Sequence, residues 1–409
     1  MAVDRMSKVY IVAYGCEPGL GSEAEVGWQT ALGLKACGVD DITVVTRLSN
    51  AKAISASPES SHLDFVYLES RPWVKLKPHG KFSYIYYFFW QLCVWKYLRR
   101  RVNPDDIVHL VTFGNILLPT FVDFLNCKLI LGPMGGGAAA DSRLMTRPSL
   151  VRRLAFAIQR VEHCCFRFMP HARHLVKKAD VIMVRTSETL DILPKFCRNK
   201  AEVVLETGVA ECELPPLRRY DGGLRRILTV SRLIDTKNVD QVIEIYSLLR
   251  EKFPELAALD IVGDGPLLPA LKRRYGDVPG VAFLGKVAHD GVRDLLMRSD
   301  LFLFASIKEG GSHALFEAAA AGLPIACYDV SGMSVFPPEG GAIKVVPKPR
   351  DVNGNVSRLA EEIARRFRNG DAVEKMAHRL GLCINSHYIW SSKCLRYKEY
   401  YNSTISEKK

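Results

Sequence analysis

The chain has 409 residues, 48% of them hydrophobic and 24% charged. That length suggests two domains, and that balance argues against an intrinsically disordered chain. A formal net charge of +12 fits either a solvated basic surface or an anionic partner such as nucleotide phosphates or a membrane face. Nucleic acid is not expected, because no helix-turn-helix, zinc-finger or RNP pattern occurs.

The opening residues, MAVDRMSKVYIVAYG, show no basic segment followed by an apolar stretch and a small-residue cleavage site, so secretion is not expected. The 11 cysteines are scattered without C-x-x-C pairs, which points to neither a disulfide framework nor a zinc site and fits a reducing cytosol. Lys8–Ala13 reads as a strand, Ala24–Ala36 as a helix, and Ile42–Thr46 and Phe65–Leu68 as strands.

Between the first strand and helix lies Gly19-Leu20-Gly21-Ser22-Glu23-Ala24, a G-x-G-x-x-A pattern. A dinucleotide fingerprint places its first glycine at the strand end and an acid about 20 residues later. Here Tyr14–Pro18 intervene, and the second strand ends in Thr46-Arg47 with no carboxylate. A loop for another phosphate therefore competes with an NADP site in which Arg47 meets a 2′-phosphate.

The stretch Phe82–Arg101, FSYIYYFFWQLCVWKYLRRR, approaches spanning length, but Gln91, Lys96 and several tyrosines interrupt it. A structural helix and a helix lying on an anionic membrane surface both fit it. Strands Ile107–Thr112 and Lys128–Leu131 follow, then GPMGGG, a basic helical region Ser149–Val176, and strand Val181–Val184. Short continuous apolar strands alternating with helices predict a parallel sheet covered on both faces.

Glu211–Leu224, rich in Pro, Gly and charge, reads as a linker, after which the pattern restarts. Strands are expected at Arg226–Val230, Ala258–Val262, Val281–Leu284, Leu301–Phe304, Pro324–Cys327 and Ala342–Val346. Helices are expected at Val239–Lys252, Leu267–Tyr275, Gly291–Arg298 and Ala314–Ala321, with an aromatic amphipathic helix at Ser386–Asn402. The expectation is α/β: two doubly wound Rossmann-like domains, 1–210 and 225–385, facing a cleft, with 386–409 crossing back to the first.

Arg232 follows a strand and Lys237 precedes a helix, so two cations at a strand end and helix start suit a diphosphate. Ordinary surface cations are the competing reading. Further on, Glu309 and Glu317 flank Gly310-Gly311-Ser312 and the start of an alanine-rich helix. Glycines there let backbone N–H groups approach an anion. Two such carboxylates can bracket a nucleotide-sugar, one at the sugar and one at the ribose.

The E-x7-E pattern of Glu309 and Glu317, with Arg232 and Lys237 upstream and VGDGP (Val262–Pro266) between, resembles the retaining GT-B glycosyltransferases of the GT4 family. GLGSEAEVGW, DIVHLVTFGN, GPMGGG and GLPIACYDVSG extend the resemblance over most of the chain, closest to bacterial members that build surface polysaccharides. The resemblance implies a hexosyltransferase moving a sugar from a UDP- or GDP-linked donor to a saccharide or lipid-linked saccharide acceptor. The enzyme would be cytoplasmic, or peripheral on the inner face of the membrane.

It further implies that Arg232 and Lys237 neutralise the donor diphosphate, that Glu317 holds the ribose, and that Glu309 meets the donor sugar. Gly310, Gly311, Ser312, His313 and Ala314 would line the sugar-diphosphate, and Gly19, Gly21 and Ser22 would approach phosphate from the other domain. His109 stands where relatives carry a histidine facing the donor sugar, with a core histidine as the competing reading, since Val111 replaces a second histidine; Ala138 replaces an acid that relatives often carry after the glycines. No metal is required by the resemblance. The departures at Val111 and Ala138 leave open a non-catalytic nucleotide-sugar-binding or scaffold protein.

Overall fold

The structure, a computed structural model, describes residues 7–20, 22–76, 83–146, 148–211 and 220–406. Gly21 and most of the linker expected at 211–224 lie outside the described residues, as does the side chain of Ser22. The first half runs β1 (Val9–Ala13), α1 (Ser22–Ala36), β2 (Ile42–Arg47), α2 (Ala51–Ala56), β3 (Asp64–Leu68), α3 (Ser83–Leu98), β4 (Ile107–Thr112) and β5 (Lys128–Met134). It continues through α4 (Leu150–Phe166), α5 (Pro170–Lys178), β6 (Val181–Val184), α6 (Ser187–Ile192) and β7 (Ala201–Val203). The second half runs β8 (Arg226–Val230), α7 (Val239–Lys252), β9 (Ala258–Val262), α8 (Leu268–Tyr275), β10 (Val281–Gly285), α9 (His289–Arg298), β11 (Leu301–Phe304), α10 (His313–Ala320), β12 (Ile325–Tyr328), α11 (Gly332–Val335), β13 (Ile343–Val345), α12 (Val352–Phe367), α13 (Gly370–His387) and α14 (Trp390–Ser406).

The strands form a 7-stranded sheet ordered β3-β2-β1-β4-β5-β6-β7 and a 6-stranded sheet ordered β10-β9-β8-β11-β12-β13. Neighbouring strands are parallel, as shown by Ile11 opposite both Val44 and His109, and by Leu228 opposite Phe302. Central strands such as VYIVA and LFLF are buried at every position, the signature of a sheet covered on both faces. Strand order reverses between β1 and β4 and again between β8 and β11. Doubly wound sheets place ligands outside the strand ends at such reversals. The chain is thus α/β with two Rossmann-like sheets.

Two compact units divide the chain. One comprises Met1–Gly137, Glu162–Gly208 and Trp390–Lys409, and the other Ala138–Val161 and Val209–Ile389. The sequence assigned all of 1–210 to the first domain, whereas residues 138–161 belong to the second unit. The anchor is buried there: Asn238 Nδ2 and Gln241 Nε2 both donate to the Leu144 carbonyl, at 3.1 and 2.8 Å. In the first unit α14 packs on α1, with Tyr397, Tyr401 and Cys394 in the same core as Ile11 and Trp28.

Of the aromatic stretch at Phe82–Arg101, Phe82 lies outside the described residues and Ser83–Leu98 form α3, most of whose apolar face is taken up by the core. Tyr86, Tyr87, Trp90, Val94 and Leu98 are buried, with Tyr14 in T-shaped contact with Trp90 at 5.2 Å. Arg99 and Arg101 lie over the rings of Trp95 and Tyr97. Only Tyr84, Ile85 and Phe88 stay exposed among its large apolar residues. Among the described residues no helix is long and apolar enough to cross a membrane.

Candidate functional site

The reversal between β8 and β11 brings together the loops that follow those strands, and these loops carry the cations and acids singled out above. After β8 the chain passes through Arg232, makes a short 3₁₀ turn at Asp235–Lys237, and enters α7 through Asn238 in the left-handed region (φ +47°). After β11 it passes through Ser306 to Ser312 and enters α10. The loops are stitched by Ile307 N–H donating to the Thr236 carbonyl at 2.9 Å and Ser306 Oγ donating to the same oxygen at 3.2 Å.

Across this seam the Lys237 ammonium forms an ion pair with Glu309 Oε1, both side chains being largely buried. An ammonium has three donors, so Lys237 keeps N–H groups for a second acceptor while it neutralises Glu309. Its Nζ also lies 5.5 Å above the Phe304 ring. Glu309 is pinned by its own backbone. Ser331 Oγ donates to the Glu309 carbonyl at 2.8 Å, Gly332 N–H donates to it at 3.0 Å, and Glu309 N–H reaches Ser331 Oγ at 3.3 Å.

Arg232 sits on the same loop, exposed, and its guanidinium has no hydrogen-bond or ion-pair partner among the described residues. The VGDGP turn supports that loop from below: Ser231 N–H donates to the Val262 carbonyl and Leu233 N–H to the Asp264 carbonyl. Gly263 is required there, because it has φ +129° and a Cβ would lie 1.9 Å from the Ser231 oxygen.

Glu317 lies one turn into α10, with His289 Nδ1 3.5 Å from its Oε1. Burial pushes its carboxyl above the usual carboxylate range, and His289 works against that shift. Glu317 forms no ion pair with Lys237; the two acids of the E-x7-E pattern have different partners. Gly310 and Gly311 lead to Ser312, which stands at the N-cap of α10, and His313 and Ala314 open the helix.

Sequence reasoning missed three participants here. Ser331, in the left-handed region at φ +54°, clamps Glu309. Lys308 donates to Gln159 Oε1 at 3.2 Å, and burial lowers the pKa of its ammonium. Arg152 binds Asp235 at 2.7 Å. Only the last carried a signal, an arginine near the start of a basic helix.

In the first unit His109 is corrected from a catalytic to a core residue. Its ring has no exposed surface. Nε2 lies 2.8 Å from the Gly132 carbonyl, and Nδ1 lies 2.7 Å from Tyr401 Oη. A carbonyl only accepts, so Nε2 carries the proton and Nδ1 accepts from the phenol, which makes this a neutral imidazole. Burial holds its pKa at about 4. A ring saturated on both nitrogens inside the sheet has no atom left for a donor sugar.

Gly19 has φ +70°, and its N–H donates to Glu25 Oε2 at 2.8 Å, so a phosphate would have to displace a carboxylate there. Glu23, in the first turn of α1, is held by Arg185, which also binds Glu206 at 2.6 Å. Arg47, the candidate 2′-phosphate contact, donates through Nε to the Tyr14 carbonyl at 2.7 Å and lies 4.1 Å above the Tyr14 ring. The triple glycine answers to packing. Gly136 has φ +109°, with Asn115 Oδ1 2.1 Å from where a Cβ would stand.

Residues 225–368 match the family model described as "Glycosyl transferases group 1". Over 212 residues the chain is 25% identical to the gpi3 subunit of the Schizosaccharomyces pombe phosphatidylinositol N-acetylglucosaminyltransferase, covering 51% of this chain and 44% of that protein. The chain spans about a third to a half of the length of the curated relatives it matches. Sucrose-phosphate synthase of Thermosynechococcus elongatus superposes with a TM-score of 0.66 at 15% identity, over 98% of this chain and 100% of the other. Anabaena HepE in complex with UDP and glucose gives 0.60 at 13% identity, over 97% and 100%.

Proposed function

We propose that this chain, a GT-B protein whose second unit carries a group 1 glycosyltransferase domain at residues 225–368, transfers a hexose from a UDP- or GDP-linked donor to a saccharide or lipid-linked saccharide during polysaccharide synthesis. The observation that carries the reading is the buried Lys237–Glu309 pair at the β8/β11 reversal, with Arg232, unpaired among the described residues, on the same loop. An anionic diphosphate is the ligand that a free guanidinium and an ammonium with spare donors suit best. The HepE complex with UDP and glucose supports a nucleotide-sugar as that ligand.

In this reading Arg232 and Lys237 take up the charge that grows on the leaving nucleoside diphosphate, the work a metal would otherwise do. Glu309 accepts from hydroxyls of the donor sugar. Glu317, at the helix start, accepts from the ribose in its ionised form, and its raised pKa moves that form above the usual carboxylate range. The backbone from Gly310 to Ala314 cradles the sugar-diphosphate. Transfer keeps the anomeric configuration: the bond from the anomeric carbon to the phosphate oxygen breaks, and the acceptor oxygen bonds on the same face. The departing phosphate oxygen receives the acceptor's hydroxyl proton.

The test is a panel of UDP- and GDP-sugars, scored first by thermal shift and then for nucleoside-diphosphate release with a lipid-linked oligosaccharide acceptor. One donor should both stabilise the protein and turn over, and Glu317→Ala should weaken that donor. Binding without release would favour the non-catalytic reading. Stabilisation by NADPH and by no sugar nucleotide would reject the proposal.

A further inference from the structure

Helix α4 is divided by face, and its apolar side is exposed. At 100° per residue, Leu150, Val151, Leu154, Ile158 and Val161 fall on one arc, and each is between 52% and 80% exposed. Ala157 fills the gap among them, and Cys164 and Cys165 continue the row, also exposed. Arg153 and Arg160, seven residues apart, run along one border of this stripe. Arg160 touches Asp141 at 3.2 Å, while Arg153 has no ion pair among the described residues. Glu162, the only acid in the helix, lies on the opposite border.

The inner row is formed by Arg152, Phe156 and Gln159. Phe156 is buried in the second unit's core, Arg152 binds Asp235 and Gln159 accepts from Lys308. Asp235 opens the turn that ends in Lys237, and Lys308 adjoins Glu309. One edge of α4 therefore grips both loops of the candidate site, while its opposite face presents apolar surface with arginines along one border.

We propose that the outer face of α4 docks on an anionic lipid surface, its leucine, valine and isoleucine side chains entering the acyl boundary and its arginine border meeting the headgroup charge. Two observations favour a bilayer over a protein partner. The stripe has no acid among its apolar side chains, and one of its borders carries Arg153 and Arg160, with Glu162 alone on the other, in a chain of net charge +12. Interfacial helices have this division: an apolar face, basic residues at its edge and no acid among the inserting residues. The inference is independent of the donor reading, since lipid binding is measured without any sugar nucleotide. It also moves the expected membrane contact from α3, whose apolar face is largely internal, to α4.

The experiment is vesicle co-sedimentation of the full chain, using phosphatidylcholine vesicles with about one-third phosphatidylglycerol and vesicles of phosphatidylcholine alone. The wild type should pellet with the anionic vesicles at low salt, release as salt rises, and pellet poorly with the neutral ones. Leu154→Glu/Ile158→Glu should lower the partition constant at least about tenfold with an unchanged melting temperature, since both sites are exposed. Arg153→Glu should weaken only the anionic component. The proposal is overturned if the wild type stays in the supernatant, if neutral vesicles bind as well, or if the double variant pellets like the wild type. It is equally overturned if sedimentation equilibrium shows a dimer that the double variant splits while vesicles go unbound, because a second copy would then cover the stripe.

Discussion

Replacing His109 with phenylalanine separates a core histidine from a catalytic one. The ring bridges Tyr401 Oη and the Gly132 carbonyl at 2.7 and 2.8 Å with no exposed surface. Phenylalanine fills the space but leaves a buried phenol and a buried carbonyl unpartnered, each costing about 1–3 kcal/mol. A combined loss of about 3 kcal/mol lowers the melting temperature of a unit this size by roughly 6–12 °C.

Acid should act through the same ring. The pKa is about 4 in the folded chain against an ordinary 6.5, so the folded state resists protonation. That stability, about 3 kcal/mol, is present above pH 6.5 and is lost as pH falls through 6.5 toward 4. Thermal melts of wild type and His109→Phe between pH 4 and 8 test both parts (on the order of one melt per half unit suffices). The wild type should lose stability through that window, and the variant should start lower and lack this component. A variant that melts like the wild type at every pH yet loses sugar transfer would refute the reasoning and return His109 to the chemistry.

Three further outcomes follow from the packing. Lys237→Met leaves the largely buried Glu309 carboxylate without its cation and should cost about 3–5 kcal/mol in urea unfolding; adding Glu309→Gln should recover most of that loss without recovering donor binding. Gly263→Ala drives a methyl to 1.9 Å from the Ser231 oxygen at φ +129°, so it should destabilise the second unit by more than about 1 kcal/mol and weaken nucleotide binding through the displaced Arg232 loop. Asp351→Ala removes the N-cap that accepts from Gly354 N–H and the ion pair with Arg358 at 2.8 Å, and should lower the melting temperature of the second unit slightly.

The sheets were legible because their strands are buried on both faces and read as unbroken apolar runs; β1, β4, β8 and β11 all lie at or within a residue of where those runs stand. The placement of Arg232 and Lys237 after β8 and before α7 was legible for a related reason, since a strand end before a helix start can be read from the apolar runs that flank it. Pairing was not legible. Nothing in E-x7-E says that Glu309 meets Lys237 while Glu317 faces His289, because that depends on how two loops thread past each other.

His109 misled because a histidine in an apolar strand reads alike whether it points to substrate or to a tyrosine 292 positions away. Helices α12 and α13 went unnoticed although Asp351 and Asn369 cap them, accepting from Gly354 and Ala372. Exposure was the least legible property. The aromatic α3 has the stronger hydropathy and is mostly internal, whereas α4 averages near neutral and shows its apolar face only when laid on a helix.

Calorimetric titration of UDP and GDP into the wild type and Arg232→Ala tests the central claim most directly. Arg232 has no partner to lose among the described residues, so the variant should melt like the wild type while binding the diphosphate about tenfold or more weakly, the effect of one charge-assisted hydrogen bond removed. Equal affinity in the two proteins, or no binding of either nucleotide by the wild type, would contradict it.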